Sequence, residues 1–120
     1  MVYTAQSQSL AILEMLVHLD SPEVLKKYLL FGVQVDEALI SPVDPSRLPK
    51  NWKADPVPAE AQAVGDAWVR SGESAVLSVP SALVPDESNF LLNPVHPEFV
   101  KLKIRKPVAF QFDPRFAVKG

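Results

Sequence analysis

Proline sets the limits on this chain. Twelve prolines fall between Pro22 and Pro114, about twice the average share of roughly 5%. Each lacks a backbone N–H and disfavours helix at the residue before it. Most of the chain must therefore be short elements joined by stiff turns, and long helices are excluded after residue 72. The proline-free start admits a first helix from about Gln6 to Leu19, capped by Ser7 or Ser9 and stopped by Asp20-Ser21-Pro22. Its apolar side chains point almost everywhere around the axis, which predicts burial on most sides. Ser7, Glu14 and His18 form the one polar seam. Tyr28 to Ile40 is apolar, β-branched and partly alternating, and reads as a strand. Ser41 to Pro58 carries five prolines and reads as a loop longer than usual connections. A second helix fits Ala59 to Ser71, ending near Gly72. Ala75–Val79, Phe90–Leu92, Val100–Ile104 and Val108–Phe112 are short strand candidates. With no internal repeat or composition break, the expectation is one α+β domain.

Composition excludes several classes of function. The 48% hydrophobic and 22% charged shares are those of a globular chain. A net charge of -2 leaves no electrostatic footprint for nucleic acid or an anionic membrane. No apolar run approaches the roughly 18 residues needed to span a bilayer. The chain has no cysteine, so it offers no disulfide, thiolate nucleophile or cysteine-ligated metal, a pattern compatible with the cytoplasm. Two histidines, His18 and His96, far apart in sequence make a poor metal site. With four glycines and neither GxGxxG nor a P-loop, a Rossmann dehydrogenase or an NTPase is unsupported.

Individual residues leave two readings open. Glu14 lies mid-helix among apolar neighbours, where it is either a site carboxylate or an edge glutamate pairing with His18 at i+4. Ser81 follows a strand and Pro80; its hydroxyl either points into a cleft or caps the next turn. Tyr3 either meets a ligand or packs as a strand tyrosine. Asn89 and Asn93 either take part in a site or fix turns around the Phe90–Leu92 strand, and His96 and the seam residue His18 are read as structural. Trp52 and Trp68 read as core anchors.

Eight phrases in order resemble the RES family. They are Val2-Tyr3-Thr4-Ala5, Leu13-Glu14-Met15-Leu16-Val17-His18-Leu19, Leu48-Pro49-Lys50-Asn51-Trp52 and Gly65-Asp66-Ala67-Trp68. Leu77 to Ala82, Asn89 to Pro94, His96-Pro97 and Phe112-Asp113-Pro114-Arg115 complete the set. The resemblance implies an ADP-ribosyltransferase-like fold, a mixed split sheet with surrounding helices around a cleft for NAD⁺. It implies a toxin of a bacterial type II toxin–antitoxin system that degrades NAD⁺, as substrate and not cofactor, at the nicotinamide–ribose bond. Hydrolysis, phosphorolysis and ADP-ribosyl transfer are the chemistries it allows. The implied partner is a helix-turn-helix (Xre-type) antitoxin, and the implied compartment is the cytoplasm. Glu14, Ser81 and Tyr3 match the family's catalytic residues, and Tyr3, Ser81 and Asn89 are the NAD⁺-binding candidates. No metal is implied. The family's arginine lies upstream of its tyrosine, before the position of Met1; Arg47, Arg70, Arg105 and Arg115 fall elsewhere in the motif order. Residues 1–120 are therefore read as an N-terminally truncated RES domain. That departure carries an alternative: an inactive RES fragment that binds an antitoxin or another RES chain, with an open sheet edge favouring homo-oligomers.

Overall fold

The computed structural model describes residues 1–19 and 26–117. Four strands build its main sheet: β1 (Val2–Ala5), β4 (Ile40–Pro42), β5 (Val76–Pro80) and β6 (Ser88–Leu92). Their order is β1-β6-β5-β4, with β4 parallel to β5 and the other pairs antiparallel. A parallel pair needs a crossover, and the helix α2 (Ala59–Ser71) lies within the one here. Alternation along the strands then divides the core in two. Val76 and Leu92, with Phe90 and Ile40 against them, pack on one face; Leu77 and Leu91 meet Trp68 of α2 on the other.

A single hydroxyl ties α2 to the sheet. Trp68 Nε1 donates to Ser74 Oγ at 2.9 Å, Ser74 Oγ donates to the Val76 carbonyl at 2.9 Å, and Ser41 Oγ of β4 lies 2.6 Å away. With its hydrogen given to Val76, Ser74 accepts from both Trp68 and Ser41, which saturates it. Gly72 closes α2 at φ 65°, in the left-handed region that glycine enters without strain.

The rest of the sheet is split from this one. β2 (Lys27–Leu30) pairs with β8 (Val108–Gln111), and β3 (Val33–Gln34) with β7 (Lys103–Ile104), both antiparallel. Helix α1 (Gln8–Leu16), capped by Ser7 Oγ on the Leu10 N–H at 3.1 Å, contacts β1 and lays Ala11, Ile12 and Met15 toward Tyr28, Leu30, Phe110 and Phe112. Phe112 is the hub of an aromatic group, edge-on to Tyr28, Phe110 and Phe116.

The α+β expectation, the mixed sheet and helix α2 with its glycine stop agree with the sequence reading. Three expectations need correction. Tyr28–Ile40 is not one strand: it breaks at Phe31-Gly32, and its parts join three different strand pairs, with a 3-10 turn over Glu37–Leu39 between. Val100–Ile104 is not one strand: its first two residues end a 3-10 turn, Pro97–Lys101, that His96 and Pro97 start, and only Lys103–Ile104 is strand. Helix α1 is shorter than Gln6–Leu19 and is not buried on most sides: Leu10 is buried, but Leu13, Met15 and Val17 are exposed. A nine-residue helix lodged between one strand and a two-stranded ladder has too few neighbours to be covered all round. The expected stop at Asp20-Ser21-Pro22 lies outside the described residues.

Candidate active site: a cleft between the sheets

The split leaves a cleft of about 840 Å³ between the main sheet and the β2–β8 and β3–β7 ladders. Binding pockets for small molecules commonly run from about 300 to 1,000 Å³, so the space suits a ligand as large as a dinucleotide. Its floor includes Thr4, Ile40, Phe90 and Leu92 of the main sheet. Its far wall is Leu30 to Val35 with Arg105, Lys106 and Val108. The near wall is the end of β1 and the start of α1, from Tyr3 to Gln8 with Ala11.

Ser7, Ala11 and Glu14 stand at i, i+4 and i+7, so they share one face of α1. The first two line the cleft, and Glu14 ends the same face as a half-buried carboxylate. Its Oε1 is withdrawn from water and has no hydrogen-bond partner. A buried polar oxygen without a donor is costly, of the order of 1–3 kcal/mol and more when charged. Tyr3 is within electrostatic reach of it. Burial of the phenol first, and the Glu14 carboxylate second, push the Tyr3 pKa up to about 12. The residue as a whole is 56% exposed.

Asn89 is fully buried within β6, where it was read as a turn residue or a ligand-binding one. Its Nδ2 donates to the Thr4 carbonyl at 3.1 Å, and its Oδ1 is buried without a partner. Glu14 and Asn89 therefore both come against β1, through Tyr3 and Thr4, and each leaves one acceptor open. Ser81 is placed differently. It is buried, and its Oγ accepts from the N–H groups of Leu83 and Val84, both at 3.1 Å. That is the turn-capping arrangement, and Ser81 does not line the cleft. Of the predicted site residues only Tyr3 does so.

The bland readings of the other polar residues fit their contacts. Asn93 Oδ1 accepts from the Val95 N–H in a turn. His96 Nδ1 accepts from the Glu98 N–H, which leaves Nε2 to donate to the Gly72 carbonyl, stapling the 3-10 turn to the end of α2. His18 is exposed, and no Glu14–His18 pair forms among the described residues. Trp68 is a core anchor; Trp52 is only half-buried, with Lys53 Nζ 5.4 Å from its ring centroid. Among the described residues no group of three or more His, Asp or Glu side chains is placed to hold a metal ion. None of their helices is long and apolar enough to cross a membrane. What sequence reasoning missed is the cationic pair of the far wall: Arg105 figures there only as falling outside the motif order, and Lys106 is not singled out.

The family model of the RES domain matches residues 1–113. The chain belongs to the RES domain family. Among its relatives, a protein of Yersinia enterocolitica named Toxin Res is 43% identical over 115 residues, covering 95% of this RES domain chain and 76% of that protein. A Sphingobium protein named Prs ADP-ribosylating toxin is 40% identical over 122 residues, covering 99% of this chain and 76% of the other. A second Toxin Res, from Photorhabdus laumondii, is 40% identical over 116 residues, 95% of this chain and 74% of its own. These names support a toxin function. The matches span β1, α1 and the sheet core, so the RES relationship extends over the elements that carry Tyr3, Glu14 and Asn89.

Proposed function

We propose that this RES domain is a toxin enzyme that cleaves NAD⁺ at the nicotinamide–ribose bond. The observation that carries the reading is Glu14: a carboxylate with one buried, unpartnered oxygen, ending the helix face whose earlier turns line a dinucleotide-sized cleft. Breaking the bond between ribose C1′ and the pyridine nitrogen sends the electron pair with nicotinamide, which leaves neutral. Positive charge then develops on the ribose. A carboxylate held beside it, poorly solvated and not spent on another donor, stabilises that charge more than water would. Water adds to C1′ and loses a proton, giving ADP-ribose. Phosphate in place of water gives ADP-ribose 1″-phosphate, and a protein side chain gives the ADP-ribosylation named for the Sphingobium relative.

The neighbouring groups have roles within this reading. Tyr3, with its pKa at about 12, stays protonated at neutral pH and donates a hydrogen bond to the ribose or to a phosphate oxygen. Asn89 alternates with Phe90 along β6 and does not line the cleft; its part in this reading is to hold β1 through the Thr4 carbonyl. Ser81 acts on the substrate only through the hydrogen its hydroxyl still has to give; otherwise it holds the turn after β5. A helix-turn-helix antitoxin that covers the cleft, and a cytoplasmic site of action, belong to the same proposal.

The test follows nicotinamide release from NAD⁺ by liquid chromatography, with and without phosphate. Release that changes its co-product when phosphate is added identifies the acceptor. Glu14→Gln keeps the shape and removes the charge, and should slow release at least about a hundredfold while the circular dichroism spectrum and melting temperature hold. Undiminished turnover in a folded Glu14→Gln protein would remove Glu14 from the mechanism. One observation favours the second reading, a binding fragment: β1 is an edge strand with Met1, Val2 and Tyr3 exposed along it.

A further inference from the structure

The far wall of the cleft is built by an irregularity in strand pairing. Leu30 lies opposite Val108, and Val33 opposite Ile104. Between these pairs, Phe31 and Gly32 on one strand face Arg105, Lys106 and Pro107 on the other, so one strand carries an extra residue. The β2–β8 and β3–β7 ladders are thus one antiparallel ribbon interrupted by a bulge. Proline suits the unpaired position because it has no N–H to lose. Consecutive residues of a regular strand point to opposite faces; a bulge breaks that rule, and here both Arg105 and Lys106 line the cleft. The Arg105 N–H donates to the Gly32 carbonyl at 2.8 Å, and its stem lies over Gly32, with Cδ 3.5 Å from where a side chain at 32 would begin.

The charge of the wall is one-sided. Arg105 and Lys106 are the charged residues lining the cleft, both cationic, in a chain whose net charge is -2. Among the described residues the ion pairs are Lys101–Glu98 and Arg115–Asp113, so no described carboxylate neutralises either cation. The other polar residues of the lining are uncharged: Tyr3, Thr4, Ser7 and glutamines such as Gln6 and Gln34. Two adjacent cations, facing a concave space without a counter-anion, fit a ligand that brings two negative charges close together.

We propose that the Arg105–Lys106 bulge is the subsite for the pyrophosphate of a dinucleotide. Guanidinium and ammonium together match a diphosphate diester, the first by a planar fork and the second as a point charge. Phe31, 54% exposed on the same bulge and lining the cleft, offers its ring to the adjoining base. The subsite lines the same cleft as Tyr3 and as Ser7 and Ala11, the α1 face that Glu14 ends, so a dinucleotide gripped here by its phosphates has that face within the same cleft for its other end. The assignment of NAD⁺ as that dinucleotide rests on the function proposed above.

Isothermal titration of the full chain and of the Arg105→Gln/Lys106→Gln variant tests it, with inorganic pyrophosphate, ADP-ribose, NAD⁺ and nicotinamide riboside as probes. Pyrophosphate, ADP-ribose and NAD⁺ should each bind the variant at least about tenfold more weakly, and the affinity for the unaltered chain should fall with added salt. Nicotinamide riboside, which has no phosphate, should bind both alike. The charge-conserving Arg105→Lys/Lys106→Arg variant should retain most of the affinity, separating charge from folding. Pyrophosphate binding that is lost in the variant, in a chain that neither binds nor cleaves NAD⁺, supports the subsite and removes the NAD⁺ reading. Equal affinity of ADP-ribose for chain and variant, or no pyrophosphate or ADP-ribose binding at millimolar concentration, overturns the subsite, whether or not NAD⁺ is cleaved.

Discussion

At the scale of the residue, the candidate site is marked by unsatisfied chemistry. Most buried polar atoms in a folded chain have partners; Glu14 Oε1 and Asn89 Oδ1 do not, and both sit against β1. Tyr3 reports on the same place. In a Tyr28→Phe background, which leaves Tyr3 as the only tyrosine, the tyrosinate absorbance should rise near pH 12, and Glu14→Gln should bring the midpoint partway back toward 10. An unmoved midpoint in the glutamine variant would mean that the carboxylate does not reach the phenol. The sign for stability follows by linkage. The folded chain keeps a proton that the unfolded chain releases between about pH 10 and pH 12, so the contribution is whole below that window and is lost as pH rises through it.

At the scale of the element, several of the phrases that carry the family resemblance make structural contacts. Trp68 hangs on Ser74, Asn93 and His96 fix turns, Ser81 caps the segment after β5, and Phe112 centres the aromatic group. Motif membership was legible in the sequence; the role of each member was not, because a capping serine and a ligand-binding serine look alike before their neighbours are known. Ser74 carries a direct prediction. Ser74→Ala leaves the buried Trp68 Nε1 without an acceptor, at a cost of about 1–3 kcal/mol. Urea unfolding should show a lowered midpoint with an unchanged slope. Ser41→Ala, which removes a half-buried donor from the same hydroxyl, should cost less. Equal effects of the two changes would argue that the Trp68 contact is not the one that matters.

At the scale of the whole molecule, β1 forms one edge of the main sheet among the described strands. β1 pairs with β6 on one side, and no described strand covers the other. With Met1 and Val2 exposed beside it, this edge is a template for strand addition. Light scattering should show concentration-dependent self-association, and Val2→Lys should suppress it by placing charge on the edge. A monomer at all concentrations would count against the binding-fragment reading.

The sequence alone determined the short-element α+β character, through its prolines and its lack of long apolar periodicity, and helix α2 with its Gly72 stop. It also determined the family, because eight ordered phrases survive without any knowledge of the fold. Local composition suffices for these because caps, breakers and motifs act over a few residues. Only the tertiary structure decided that Tyr28–Ile40 splits among three strand pairs and that Arg105 and Lys106 both line the cleft. The break at Phe31-Gly32 and the bulge opposite it depend on register between strands more than seventy residues apart, Leu30 with Val108 and Val33 with Ile104. A one-residue slip there redirects every side chain beyond it, and nothing local to either strand encodes it.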